Sequence, residues 1–239
     1  MAQQQAPGVR WRRLVTYLMV LLVIPASLVL LSQVLTTRQH YLFSMILIVY
    51  AMIPFFLVFE HRRPQARELV ILAVLCALTV ASRVAFLWMP SVKPMLAIVM
   101  ITGMVFGGES GFLVGALSAF VSNFYFGQGP WTPWQMFAYG MAGFVSGVLQ
   151  SRGWMPKKPL WQGVVGFVLI VALVGPLLDC NTLFTTAVTL NWKNVAIILT
   201  NGLVFANWQH GLAVAVTMVL ISEPLQYMLQ RVKTKYGML

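Results

Sequence analysis

The chain is 239 residues long, 59% hydrophobic and only 9% charged, with a mean hydropathy of +0.82, a balance outside the range of soluble domains of this size. Its formal charge of +11 falls in short clusters between apolar runs and not on one continuous face, which argues against nucleic acid as a partner. The runs do not alternate as barrel strands do, so the sequence predicts an all-α integral membrane protein.

A hydrocarbon core of about 30 Å needs about 20 apolar residues per helix, and the chain divides into about eight such spans. The first, Leu14 to Leu35, follows the basic segment GVRWRRL. Its apolar run is longer than that of a usual signal peptide and no convincing cleavage site follows, so it reads as a retained anchor. The second covers Tyr41 to Phe59. The charged linker EHRRPQARE, Glu60 to Glu68, is the strongest boundary, and it separates a two-helix extension (1–62) from a core (63–239). The core spans are Glu68 to Met89, Pro94 to Gly107, Gly111 to Phe126, Pro133 to Leu149, Trp161 to Leu178 and Val195 to Ser222. Two of them are short, and the stretch from Pro176 to Asn194 is ambiguous.

Basic residues set the topology, because cytoplasmic connections carry the excess of Lys and Arg. With the N-terminus inside, Arg10, Arg12, Arg13, Arg62, Arg63, Arg67, Arg152, Lys157, Lys158, Arg231, Lys233 and Lys235 all fall inside, and the C-terminus does too. Arg38, Lys93 and Lys193 fall in outer connections, and Arg83 lies within a span. Cys76 and Cys180 have no metal or redox spacing and read as packing residues. Glycines 103, 107, 111 and 115, with 143 and 147, keep a four-residue spacing that suits close helix packing.

The connection FYFGQGPWTPWQMF, Phe124 to Phe137, is uncharged but rich in aromatic and hydrogen-bonding groups. Pro130 and Pro133 bar a continuous helix, while Gly127 and Gly129 permit tight backbone paths. An interfacial aromatic belt accounts for Trp131 and Trp134. It does not account for Asn123, Tyr125, Gln128, Thr132 and Gln135, whose amides and hydroxyls beside flat rings suit a rigid lid over a ligand. Two further polar sites lie in apolar surroundings. Arg83 and Asp179 are placed near the same outer level, either as a structural pair or as ligand contacts. Asn207 and His210, three apart on one helix face, are a second candidate wall, with a satisfied structural histidine as the plainer reading.

ARELVILAVLCALTVASRVAF, followed by KPMLAIVMITGMVFGGESGFLVGALSAFVSNFYFGQGPWTPWQMFAYGMAGFVSG, resembles the substrate-binding S component of an energy-coupling factor (ECF) vitamin transporter. The resemblance runs from the linker to the C-terminus, and GQGPWTPWQM is its most specific part. It implies a six-helix bundle in a prokaryotic cell membrane that binds a vitamin or vitamin precursor near the outer face. It also implies partners: a transmembrane coupling subunit and two cytoplasmic ATPases. In this family an Ala-x-x-x-Ala motif on the first core helix docks the coupling subunit, and Ala73, Ala77 and Ala81 stand at that spacing; internal packing is the alternative. Polar residues of the last helix often line the family's pocket, which brings Asn207 and His210 into the expected site. No catalytic residue, metal or catalytic cofactor is expected, and GQGPWT lacks the Lys-Ser/Thr of a nucleotide-binding loop. A membrane enzyme is the rival reading, opposed by acidic residues too scattered to form a catalytic pair; a structural subunit of another complex is a second. On resemblance alone the substrate leans toward a cobalamin-related compound, either a corrinoid or its benzimidazole precursor, with thiamine, pyridoxine and queuosine precursors as alternatives.

Overall fold

The computed structural model describes residues 37–61, 64–89, 92–186 and 191–237. The first expected span, with Arg10, Arg12, Arg13, Arg62 and Arg63, lies outside them. The described residues form helices and no strand, as an all-α chain requires. They are α1 (Thr37–His61), α2 (Ala66–Ala85), α3 (Met95–Phe106), α4 (Gly108–Phe126) and α5 (Trp131–Ser151), then α6 (Pro159–Leu169) and α7 (Gly175–Thr186), and finally α8 (Trp192–Asn201) and α9 (Trp208–Lys235). A π-helical stretch, Ile170–Val174, joins α6 to α7, and a second, Gly202–Asn207, joins α8 to α9. The ambiguous region after Pro176 is therefore helical to Thr186, and a new helix starts at Trp192.

Three of these helical segments, Ala66–Ala85, Pro159–Leu183 and Trp208–Lys235, are long and apolar enough to cross a bilayer; Ile48–His61 and Met95–Phe106 are shorter apolar segments. The reason α3 is short is visible in its packing. All 12 residues of α3 are buried, and at 1.5 Å per residue the helix rises only about 18 Å. It needs no lipid-facing length because α2, α4, α5 and α9 surround it. Gly107, at φ 100°, reverses the chain directly from α3 into α4, a backbone conformation that favours glycine.

The expected close packing is present. A Cβ on Gly103 would overlap the Gly143 carbonyl, one on Gly111 would meet Gly103 Cα at 2.6 Å, and one on Gly147 would meet Gly108 Cα at 2.6 Å. Without side chains between them, the backbones of α3, α4 and α5 touch, and dispersion and polar contacts replace the hydrophobic drive that lipid cannot supply.

Helix α1 packs on α4, α5 and α7. Its Phe55 stacks on Phe112 of α4 with ring centroids 4.0 Å apart, and meets Phe144 of α5 edge-on at 5.0 Å. At one end of the bundle lie Arg67, Arg152, Lys157, Lys158, Arg231, Lys233 and Lys235, where Lys233 Nζ donates to Val105 O at 2.8 Å and covers a free carbonyl at the end of α3. The opposite end holds the turn between α4 and α5.

Candidate functional site

The connection expected as a constrained loop between Phe126 and Pro133 is a four-residue turn followed by helix. Helix α4 runs through Phe126, Gly127 turns at φ 94°, and α5 starts at Trp131. Pro130 precedes the helix and Pro133 sits in its first turn, where backbone N–H groups have no intrahelical acceptor, so neither proline blocks it. The helix is interrupted at Gly127–Pro130, as the sequence predicts, but the new helix starts at Trp131, two residues before the expected Pro133.

This change of geometry sorts the aromatic residues. Trp134 is 1% exposed and belongs to an apolar cluster with Met52, Phe55, Phe112, Ala116 and Phe137. It is thus a wall between α1, α4 and α5, not a ring on a loop. Trp131 is partly exposed, lies over Gly129 and donates from Nε1 to Gly127 O at 3.3 Å. Tyr125 is exposed and does not join the polar residues behind it.

The amides and hydroxyls do converge. Arg83, near the end of α2, is 2% exposed; its Nη1 donates to Ser122 Oγ and, at 2.9 Å, to Asn123 Oδ1 on α4. Asn123 Nδ2 in turn donates to Thr132 Oγ1 at 3.1 Å and to Gln135 Oε1 at 2.9 Å on α5. The Thr132 hydroxyl donates to Gln128 Oε1 at 2.9 Å and accepts from Gly129 N at 3.2 Å, while Gln128 Nε2 donates to Phe120 O at 2.9 Å. One network therefore fastens three helices at the end opposite the basic one. The Arg83 guanidinium also lies 4.3 Å from the centroid of Phe126 and 5.9 Å from that of Tyr139, contacts that suit a cation beside aromatic faces.

Lys93, in the connection before α3, places Nζ 5.7 Å from the same Phe126 ring. Burial pushes its ammonium below the ordinary lysine range, and the nearby Arg83 charge adds to the effect.

The expected Arg83–Asp179 pair does not form. Asp179 on α7 instead accepts from Asn207 Nδ2 at 2.9 Å. Glycines make the room: a Cβ on Gly202 would overlap the Asp179 carboxylate, and one on Gly175 would overlap the Asn207 amide. Both groups sit beside the π-helical stretches, whose wider turns shift side chains off the regular helical register. His210, three residues on, keeps Nε2 shielded and without a hydrogen-bond partner. Trp208 next to Asn207 is exposed and meets Phe167 edge-on at 5.0 Å.

Residues absent from the expected set complete the network. Ser122 is a buried hydroxyl on it, and Lys93, Phe126 and Tyr139 lie around the guanidinium. Ser122 was legible only through its position beside Asn123. Lys93 reads in sequence as an ordinary charge in a connection.

On α2, Ala73, Ala77 and Ala81 are all exposed, with Val70, Val74 and Leu78 beside them. The opposite face carries Leu72, Leu75, Thr79, Val80 and Arg83, all buried. The three alanines thus do not pack within the described bundle.

A helical membrane bundle that encloses a polar cluster at one end, over a glycine-packed apolar interior, has the build of a membrane-embedded binding subunit. A family model described as ECF-type riboflavin transporter, S component, matches residues 64–227, and the chain belongs to that family of substrate-specific transporter subunits. No solved structure matches the chain.

Proposed function

We propose that the chain captures a flat-ring vitamin or precursor at the Arg83 end of the bundle and delivers it to a coupling subunit driven by two cytoplasmic ATPases. The observation that carries this reading is the enclosed network from Arg83 through Asn123 to Thr132 and Gln135. Polar and ionisable residues buried in a membrane bundle are rare and mark functional sites, and binding pockets join a few placed polar groups to aromatic walls. On this reading Asn207, Asp179 and His210 supply a second wall of the site, and Trp131 is the ring left at the rim. The charge distribution supports the orientation: basic residues crowd the opposite end, which the positive-inside tendency assigns to the cytoplasm. Both described chain ends of the six-helix core then lie inside, and the binding end faces out.

Riboflavin is the first ligand to test, because the matching family is described by it. A benzimidazole precursor of cobalamin is the second, being flat as well; the corrinoid expectation draws no support from the site. The exposed alanine strip on α2 favours the docking reading over internal packing, since its small side chains face outward where a partner helix could approach.

Titration of the detergent-purified chain with riboflavin, followed by quenching of flavin fluorescence, tests the site. Asn123→Ala removes the hinge of the network and is expected to weaken binding about ten-fold, the scale of one charge-assisted hydrogen bond. Equal affinity in a folded Asn123→Ala protein would remove the network from the binding site. Mass spectrometry of small molecules released from the purified wild type identifies the ring compound if riboflavin itself does not bind.

A further inference from the structure

Arg83 is a buried cation without a carboxylate. Its contacts are the Ser122 hydroxyl, the Asn123 carbonyl oxygen and two aromatic rings, and its Nε is shielded with no hydrogen-bond partner. Asp179, the acidic residue expected opposite it, is engaged by Asn207 instead. The chain's other acidic residues are Glu60, Glu68, Glu109 and Glu223. Glu60, Glu68 and Glu109 flank the connections at the basic end, and Glu223 lies well along α9 toward it.

A second cation stands beside the first. Lys93 Nζ and the Arg83 guanidinium both lie against Phe126, at 5.7 and 4.3 Å from its centroid. His210 Nε2 is likewise shielded and without a hydrogen-bond partner. Two like charges in a low-dielectric site repel, and each has lost hydration; hydrogen bonds to neutral oxygens offset only part of that cost. An anion would supply what the cluster lacks: negative charge for Arg83 and Lys93, and acceptor oxygens for Nε of Arg83 and for His210 when its Nε2 carries the proton.

We propose that the substrate is a ring compound bearing an oxyanion, a carboxylate or phosphate ester, whose acidic group is received by Arg83, Lys93 and His210. The inference rests on the substrate-binding reading above and narrows its ligand to an acidic class. The adjoining amides of Asn123 and Gln135, and the Phe126 and Tyr139 rings, then hold the neutral part of the molecule.

Riboflavin and riboflavin 5′-phosphate form a matched pair of probes, one neutral and one anionic. The purified chain in neutral detergent is expected to bind the phosphate ester about ten-fold more tightly than riboflavin, the scale of a charge-assisted contact. Arg83→Gln is expected to reduce that preference to about three-fold or less, while Arg83→Lys, which keeps the charge, retains part of it. Lys93→Gln serves as a second variant outside the helices if Arg83→Gln does not fold. Riboflavin binding as tightly as its ester, or a preference that survives both neutral substitutions, overturns the proposal. If neither flavin binds, the riboflavin assignment fails by itself. Inorganic phosphate then decides: a rise in thermal unfolding temperature that Arg83→Gln abolishes retains the oxyanion site, and no rise overturns it.

Discussion

Two stripes of small residues run through this protein at the same four-residue spacing, and they have opposite fates. Gly103, Gly111, Gly143 and Gly147 lie in the interior, where their bare backbones let α3, α4 and α5 touch. Ala73, Ala77 and Ala81 lie on the outer face of α2 with nothing from the described bundle over them. Spacing alone does not distinguish the two. What does is the rest of each helix: α3 has no exposed face, so every residue on it is internal, whereas α2 already buries Leu72, Leu75 and Thr79 and leaves its alanines on the far side. The lesson is physical. In lipid a small residue marks a place where backbones approach, and the partner belongs either to the same chain or to another.

The largest effect is expected inside. Gly143→Leu would drive a side chain into the Gly111 carbonyl and Val99 Cγ1, the latter 2.9 Å from a Cβ at this position. Neither backbone can yield without separating α4 from α5, so a loss of about 3 kcal/mol is expected, at the upper end of overpacking costs. Thermal unfolding in detergent measures it. A variant as stable as the wild type would show that the glycine contacts are not what holds the three helices together.

A smaller loss is expected on the inner face of α2. Leu75 is 3% exposed and packs in the main apolar cluster with residues of α3, so Leu75→Ala should cost about 2–3 kcal/mol through lost contacts and the cavity left behind. The same unfolding assay compares it with substitutions two residues along the same helix. If Leu75→Ala costs nothing, the assignment of inner and outer faces is reversed.

How far the sequence disclosed this arrangement depends on which forces were local. Hydropathy and the Gly107 turn located the first four core helices to within a few residues, since span length and chain reversal are properties of short segments; the last two run on to Thr186 and Lys235, past the expected ends at Leu178 and Ser222, because their continuation is polar or basic and carries no hydropathy signal. Glycine spacing disclosed close packing for the same reason. The polar site was only half legible. Asn123, Gln128 and Gln135 stood out as amides near one turn, and they do meet. The pairing of Arg83 with α4 instead of Asp179 depended on two π-helical stretches and on Gly175 and Gly202, which turn Asp179 toward Asn207. Such register shifts arise from tertiary packing and leave no periodic signal. Trp134 misled because a proline-flanked tryptophan reads as loop until the helix is seen to begin at Trp131; its ring then lies under α1, a helix whose docking no local pattern announces.

The smallest effect on the fold is expected from the outer stripe, and that is what makes it informative. Ala77→Trp adds a large ring to a face of α2 that already carries Val74 and Leu78 in exposed positions. Lipid accepts such a ring readily, so the change in unfolding free energy should stay within about 0.5 kcal/mol, as at other surface sites. Ligand affinity should be unchanged too, because Arg83 and its network lie on the opposite face of the helix and nearer its end. A partner helix meets a different situation: packing between membrane helices depends on close backbone approach, and an indole ring several ångströms deep prevents it. Ala77→Trp should therefore keep its ligand yet fail to co-purify with the coupling subunit and fail to support uptake. Ala77→Gly, which leaves the approach open, should retain both. Stability, ligand affinity and partner retention measured on the same preparations separate the alternatives. Loss of stability together with binding would place the strip inside the assembly of this chain's own helices, and full retention of the coupling subunit would move the docking surface away from α2.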